Sequence, residues 1–219
     1  EGVFMLQAID PSVADERDPY SVVPELDMYN PDNGWRPWPE PASYDAGWLA
    51  TYRAAQVARV ARIDAHARGQ LEEAATAREA LKGTAAGSPE WRHWRMRAVH
   101  LEYMPIYRTL ADPAYLDPAI DPDDRPLGSL FAFQDPCDAN YGRAGLARVM
   151  TSRGWLSTWS GLSSHASFER CGPAMAQPVL MIEYTGDNSV FPGDLDGIYA
   201  DVLSQGDVAA FTIICIASG

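Results

Sequence analysis

The apolar positions of this chain keep two different periods, one before residue 112 and one after residue 140. Leu49, Tyr52, Gln56, Val60, Ile63 and Ala67 recur every three or four residues, which is the spacing of one face of an α-helix. Asp45 stands ahead of them as an N-cap. An Ala- and Glu-rich stretch, Leu71 to Leu81, carries the helix to Lys82-Gly83, a cation followed by a C-cap glycine. Ser88-Pro89 starts a second helical pattern through Trp91, Trp94, Ala98 and Leu101, which Pro105 should kink or end. Turns dominate on both sides. Asp10-Pro11, Asp18-Pro19, Asn30-Pro31 and the Trp35 to Pro39 cluster precede the helices, and Asp112-Pro113, Asp117-Pro118 and Asp121-Pro122 follow them. A residue before proline is pushed toward extended backbone.

From about residue 140 the pattern alternates between helix and strand. Asn140 to Trp159 reads as an amphipathic helix with Leu146, Val149, Trp155 and Leu156 inward. Val179 to Ile182 is an unbroken apolar run between breakers, the signature of a strand buried on both faces. Leu195 to Leu203 reads as a helix with Ile198 and Val202 inward, and Ala209 to Ala217 as a second buried strand. Strand, turn, helix and strand in this order predict a parallel pair with a right-handed crossover. The expected class is α/β, with a helical, turn-rich part over 1–139 and an α/β segment over 140–219, its strands at about 179–184 and 209–217. Two parallel strands do not make a stable sheet. Further strands are therefore expected elsewhere, in a preceding segment or on a second polypeptide completing the sheet.

Composition narrows the partners. Over 219 residues, 47% are hydrophobic and 21% charged, which suits a globular protein rather than a disordered one. No apolar segment approaches the roughly 20 residues that cross a bilayer, and Glu1 to Leu6 lacks the form of a secretory signal. A formal charge of −13 argues against nucleic acid, whose phosphates require clustered cations. The densest basic stretch, Trp91-Arg92-His93-Trp94-Arg95-Met96-Arg97, reads as a solvated helix face. Cys137, Cys171 and Cys215 have no metal spacing and cannot all pair, which points to a reducing, cytoplasmic compartment. His93 and His100 lie seven apart without a ligand pattern beside them, so neither a metal site nor a cofactor is expected.

The leading candidate for chemistry is Asp187. Thr185-Gly186-Asp187 closes the first predicted strand and leaves a carboxylate at its C-terminal edge, where open α/β sheets place their catalytic groups. The competing reading is a turn aspartate bonded to its own backbone. Asp194 is a rival acid, better read as a helix N-cap. His165 lies among serines, in Ser163-Ser164-His165-Ala166-Ser167, and reads as an exposed loop histidine. Trp35, Trp38, Trp48, Trp91, Trp94, Tyr103 and Tyr107 are read chiefly as core, with some expected to line a substrate pocket.

Gly186-Asp187, Val190-Phe191-Pro192 and Asp194, set between a strand and a helix, resemble the acid loop in the C-terminal portion of the α/β-hydrolase superfamily. Ile9-Asp10-Pro11-Ser12-Val13, Leu26 to Pro31 and Tyr52 to Gln56 resemble the helical cap of a bacterial branch, and Asn140-Tyr141-Gly142 with Trp155 to Ser160 would rejoin that cap to the core. The resemblance implies an α/β-hydrolase-like parallel sheet portion with a large helical cap, lacking its N-terminal strands. It also implies a serine hydrolase of small-molecule ester or acyl substrates, with Asp187 the acid of a Ser-His-Asp triad. No Gly-x-Ser-x-Gly elbow occurs in the sequence; Trp159-Ser160-Gly161 comes nearest. Nucleophile and histidine are expected outside this stretch. The alternative is a non-catalytic helical binding module, or an inactive remnant.

Overall fold

The computed structural model describes residues 6–129, 135–142 and 148–203, together with the backbone of 211–216. The longest element is helix α1 (Ala46–Lys82), 37 residues long. Its first turn is capped by the Asp45 side chain, which accepts from the amides of Gly47 and Trp48, and at its end the Gly83 amide donates to the carbonyls of Ala80 and Leu81. These bonds satisfy groups that a helix leaves without intrahelical partners. Tyr52, Gln56, Val60, Ile63 and Ala67 are buried on one face, joined by Arg59 and Asp64. Beyond Ala67 only Ala77 is buried. The second half of α1 instead packs against α2 (Pro89–Val99), a helix capped by Ser88 and without a single buried residue.

After α2 come β1 (Tyr103–Pro105), helix α3 (Pro136–Tyr141) and β2 (Val149–Thr151). β1 and β2 pair antiparallel, with Tyr103 opposite Thr151 and Pro105 opposite Val149. One α-turn, Ser152–Gly154, then leads into a π-helical turn at Trp155–Trp159. The C-terminal elements are β3 (Val179–Tyr184), α4 (Pro192–Leu203) and β4 (Phe211–Ile216). β3 and β4 run parallel, from Val179 opposite Phe211 to Tyr184 opposite Ile216.

Among the described residues, the core consists of three apolar clusters laid along the first half of α1 and the turns that wrap it. The first joins Ile9, Val60, Ile63, Met104, Ile106 and Trp155; the second Met28, Ala42, Tyr44, Tyr52, Ala111 and Leu116; the third Leu110, Ala114, Tyr115, Ala139 and Phe191. Trp155 is the largest fully buried side chain. Its indole nitrogen donates to Asp64 Oδ1 at 2.7 Å, so the polar edge of the ring is satisfied inside the core. Buried charge is paired as well. Arg59, fully enclosed, donates to both oxygens of Glu16 at 2.8 and 2.7 Å and to the Asp10 carbonyl at 2.6 Å. Arg108 Nε lies 3.3 Å from Asp10 Oδ2, close enough for an ion pair although the two atoms are not aligned for a hydrogen bond.

These observations overturn the expected α/β class. Helices and helical turns predominate, and the described strands form one short antiparallel pair and one isolated parallel ribbon rather than an α/β-hydrolase-like sheet. β3 is not buried on both faces. Val179, Met181 and Glu183 are half-buried, whereas Leu180, Ile182 and Tyr184 are 58%, 46% and 55% exposed. An apolar run without a breaker fits a doubly covered strand and a singly covered one alike, and here one face, that of Leu180, Ile182 and Tyr184, is exposed. The helix expected over Asn140 to Trp159 is also replaced. Its beginning belongs to α3, Val149 lies in β2 and is 64% exposed, and regular helical bonding gives way to the π-turn. Leu146 and the side chains of the last strand, Cys215 among them, lie outside the described residues.

Candidate functional site

The acid loop begins where β3 ends. The Asp187 amide donates to the Tyr184 carbonyl at 3.2 Å, closing a turn over Thr185-Gly186. Asp187 Oδ1 accepts from the Ser189 amide at 2.8 Å and the Val190 amide at 3.3 Å. This is the arrangement by which aspartate stabilises its own turn. It fixes the carboxylate's orientation, and among the described residues no donor reaches Oδ2. The side chain is half-buried, so the second oxygen can accept one further hydrogen bond.

The turns that follow β1 hold this loop in place. The Asp124 amide donates to the Thr185 carbonyl at 3.0 Å, and the Gly193 amide donates to Asp121 Oδ2 at 2.7 Å. Phe191 is buried between the Tyr115 ring, 5.9 Å away between centroids, and the Arg125 guanidinium, 4.4 Å above its own ring. Asp194 Oδ2 accepts from the Phe191 amide at 3.1 Å and its Oδ1 from Gln7 Nε2 at 2.9 Å. Asp194 is therefore not the N-cap of α4 but its third residue, reaching back to the amide of Phe191, the residue before the helix.

Beside the loop lies a polar cluster buried beneath Arg53. Arg53 donates to Asp112 Oδ1 at 2.7 Å and to the Gln7 carbonyl at 3.2 Å. Burial pushes the Asp112 carboxyl up from the ordinary range, with the Arg53 guanidinium opposing it. Tyr115 is pushed well above its usual value, first by burial and then by the carboxylates of Asp112, Asp194 and, more weakly, Asp187. Its hydroxyl therefore stays protonated and cannot act as a base near neutral pH. A cleft of about 220 Å³ opens next to the loop, lined by Asp123, Asp124, Glu183, Tyr184, Val190 and Pro192.

The remaining candidates separate from Asp187. Ser160 is fully buried, and its hydroxyl accepts from the amides of Leu162 and Ser163 at 3.2 and 3.0 Å. It is a turn-capping residue, which rules out the nearest match to a nucleophile elbow. His165 is exposed, and its carbonyl accepts from the Cys171 thiol at 2.9 Å. His93 stands exposed on α2 with its ring edge against Trp94. Trp35, Trp38 and Trp48 pack half-buried on the second apolar cluster. Burial and nearby carboxylates push the Cys137 thiol up to about 11, which removes it as a nucleophile. Among the described residues, no serine or cysteine side chain is hydrogen-bonded to a histidine ring, and no group of His, Cys, Asp and Glu could hold a metal ion. No described helix is long and apolar enough to cross a membrane.

The sequence reading missed the anchoring role of Asp121, Asp124 and Arg125. Their Asp-Pro-Asp-Asp-Arg-Pro context announces a turn but not the loop that it meets 72 residues later. No family model, curated protein or solved structure matches this chain.

Proposed function

We propose that this chain supplies the acid and the helical covering of a serine hydrolase acting on ester-like bonds, with the nucleophile and the base contributed from outside the described residues. One observation carries the reading. Asp187 follows the end of a strand, holds one carboxylate oxygen against two loop amides and, among the described residues, leaves the other without a donor. A carboxylate held this way can accept the Nδ1–H of an imidazole, set its tautomer and stabilise the imidazolium formed as the serine proton is taken. Acyl transfer further requires an oxyanion hole. The amide of Gly193 at the start of α4 is already bonded to Asp121, so those donors would come from elsewhere too. The resemblance to the α/β-hydrolase superfamily rests on the acid loop and the helical covering, not on the sheet.

The test is made on the complete protein that contains this chain. Reaction with a fluorophosphonate followed by intact mass spectrometry should give one serine adduct. Asp187→Asn should lower turnover of an acyl ester by on the order of 10⁴-fold, while Asp194→Asn leaves turnover near native. No serine adduct, or full activity in Asp187→Asn, sinks the proposal.

The second reading, a non-catalytic helical binding module, is favoured by a different place. A groove of about 1000 Å³ runs between the middle of α1, the end of α2 and β2, with Trp94, Met96 and Leu101 beside Arg97 and Arg153. A partner that protects these residues from solvent while Asp187→Asn leaves all activity unchanged would favour it.

A further inference from the structure

Helix α2 gains little cover from the rest of the chain. None of its 11 residues is buried; Trp91, Trp94 and Ala98, toward α1, are half-buried. A helix this short is marginal in water unless one face is packed. Met96 and Val99 nevertheless stay 56% and 61% exposed, and Leu101 just beyond the helix is 57% exposed.

The groove of about 1000 Å³ beside α2 has a matching peculiarity. α1 brings Glu72 and Glu73 to its lining, and the end of α2 and the turn after β2 bring Arg97 and Arg153. Ser152 donates to Gln70, which sets Arg153 within about one helical turn of Glu72 and Glu73 along α1. All four charged side chains are exposed, and among the described residues none of them makes an ion pair or a hydrogen bond. Acids and arginines share one groove without pairing. Leu71, Trp94, Met96 and Leu101 share it too. An occupant that fits must offer cations to the α1 side, anions to the other, and apolar surface between.

The α1–α2 pair of a second copy offers all three. Its α2 holds Arg92, Arg95 and Arg97 against the single carboxylate of Glu90, with Met96 and Val99 among them, all exposed, in a protein with 30 Asp and Glu to 17 Lys and Arg. Its α1 returns Glu72 and Glu73 to the arginines of the first copy. A two-fold contact requires a surface that complements itself, and an acidic stretch of α1 beside a basic α2 is such a surface. Repulsion between two chains of charge −13 is largely screened beyond about 8 Å in physiological salt, so the charges that face each other decide the contact.

We propose that this chain forms a two-fold dimer in which α2 of each copy lies in the groove of the other, its arginines against Glu72 and Glu73 and its Met96 and Val99 over the apolar lining. The proposal rests on the second reading only in taking this groove for a binding surface, and it is independent of Asp187.

The experiment is sedimentation equilibrium on the full chain, on two charge-reversed variants and on their equal mixture. The variants are Glu72→Arg/Glu73→Arg and Arg92→Glu/Arg95→Glu/Arg97→Glu, all at exposed positions, with circular dichroism to verify folding. The native chain should weigh twice its sequence mass. Each variant alone should associate on the order of a hundred-fold more weakly or worse, because like charges then meet in both halves of the contact. The mixture should recover the dimer, since a reversed α1 then meets a reversed α2 and a native α1 a native α2. The mixed pair has nearly the total charge of the native pair, so recovery reports matching faces rather than net charge. Met96→Ser/Val99→Ser, which leaves every charge in place, should weaken the dimer as well. A native chain that stays monomeric overturns the proposal and leaves the second reading to a partner of another kind. A dimer that any of the three variants keeps at native strength overturns it, as does a mixture of the two folded charge variants that fails to pair.

Discussion

Arg59→Met is the sharpest probe of what holds the helical part together. The guanidinium is fully enclosed and makes three bonds, two to Glu16 and one to the Asp10 carbonyl. Methionine keeps much of the apolar stem and removes all three. Breaking a buried pair by deleting one partner costs about 3–5 kcal/mol, because a charge is left without compensation. The Glu16 side chain is 33% exposed and can rehydrate, which places the loss near the lower end, about 3 kcal/mol. The Asp10 carbonyl sits where the residue is 1% exposed, and leaving it unbonded adds about 1 kcal/mol. The sum, about 4 kcal/mol, is a large share of the roughly 5–15 kcal/mol by which domains are stable. Taking a urea dependence of about 3 kcal/mol per molar, the midpoint should fall by about 1.3 M. Urea unfolding followed by tryptophan fluorescence and far-ultraviolet circular dichroism reads this directly. Arg17→Gln is the control, since the Arg17 and Asp15 side chains are 89% and 43% exposed and their pair should leave the midpoint unmoved. A midpoint shift in Arg59→Met no larger than that of the control would refute the reasoning.

Three further outcomes can be measured. Gly34 has φ of 113°, and a Cβ there would clash with the Ser43 carbonyl oxygen, so Gly34→Ala should lower stability, read from the urea midpoint, by well over the roughly 1 kcal/mol of a left-handed residue alone. Asn140 accepts from the Leu110 amide at 2.8 Å and donates to the Leu110 carbonyl at 2.7 Å; Asn140→Leu should cost about 2–4 kcal/mol by leaving both groups buried and unpaired. Cys171 should react with iodoacetamide near pH 8, while Cys137, held up to about 11 by burial and nearby carboxylates, stays unmodified until far more alkaline pH. For the same raised group, the folded state keeps the proton longer than the unfolded one, so its contribution is present below the ordinary value of 9.0 and is lost as pH rises through about 11. A pH titration of the urea midpoint should therefore decline across that window, and decline less in Cys137→Ala.

Local signals read well in this sequence where nothing distant competes with them. Asp45 and Gly83 bound α1 as expected, and Ser88-Pro89 opens α2, because caps act through bonds within a few residues. Ser160 as no elbow belongs to the same class, whereas Asp194 stands three residues into α4 rather than at its N-cap. What failed was the inference about the layer over the second face of β3. The run Val179 to Ile182 looks the same whether one face or both are covered, and the structure leaves Leu180 and Ile182 exposed. The amphipathic pattern after Asn140 was overridden because β2 finds hydrogen bonds with β1, some 45 residues earlier in the chain. Asp187 lay where the turn residues put it, whereas its anchors at Asp121, Asp124 and Arg125 could be found only from contacts distant in sequence.

The bonds from Asp121 and Asp124 to the segment around Asp187 join stretches 72 and 61 residues apart respectively. An insertion that lengthens either stretch must be matched in the other, or the carboxylate turns away from whatever it serves. Surface loops ordinarily drift in length with little consequence; these two should drift only as a pair.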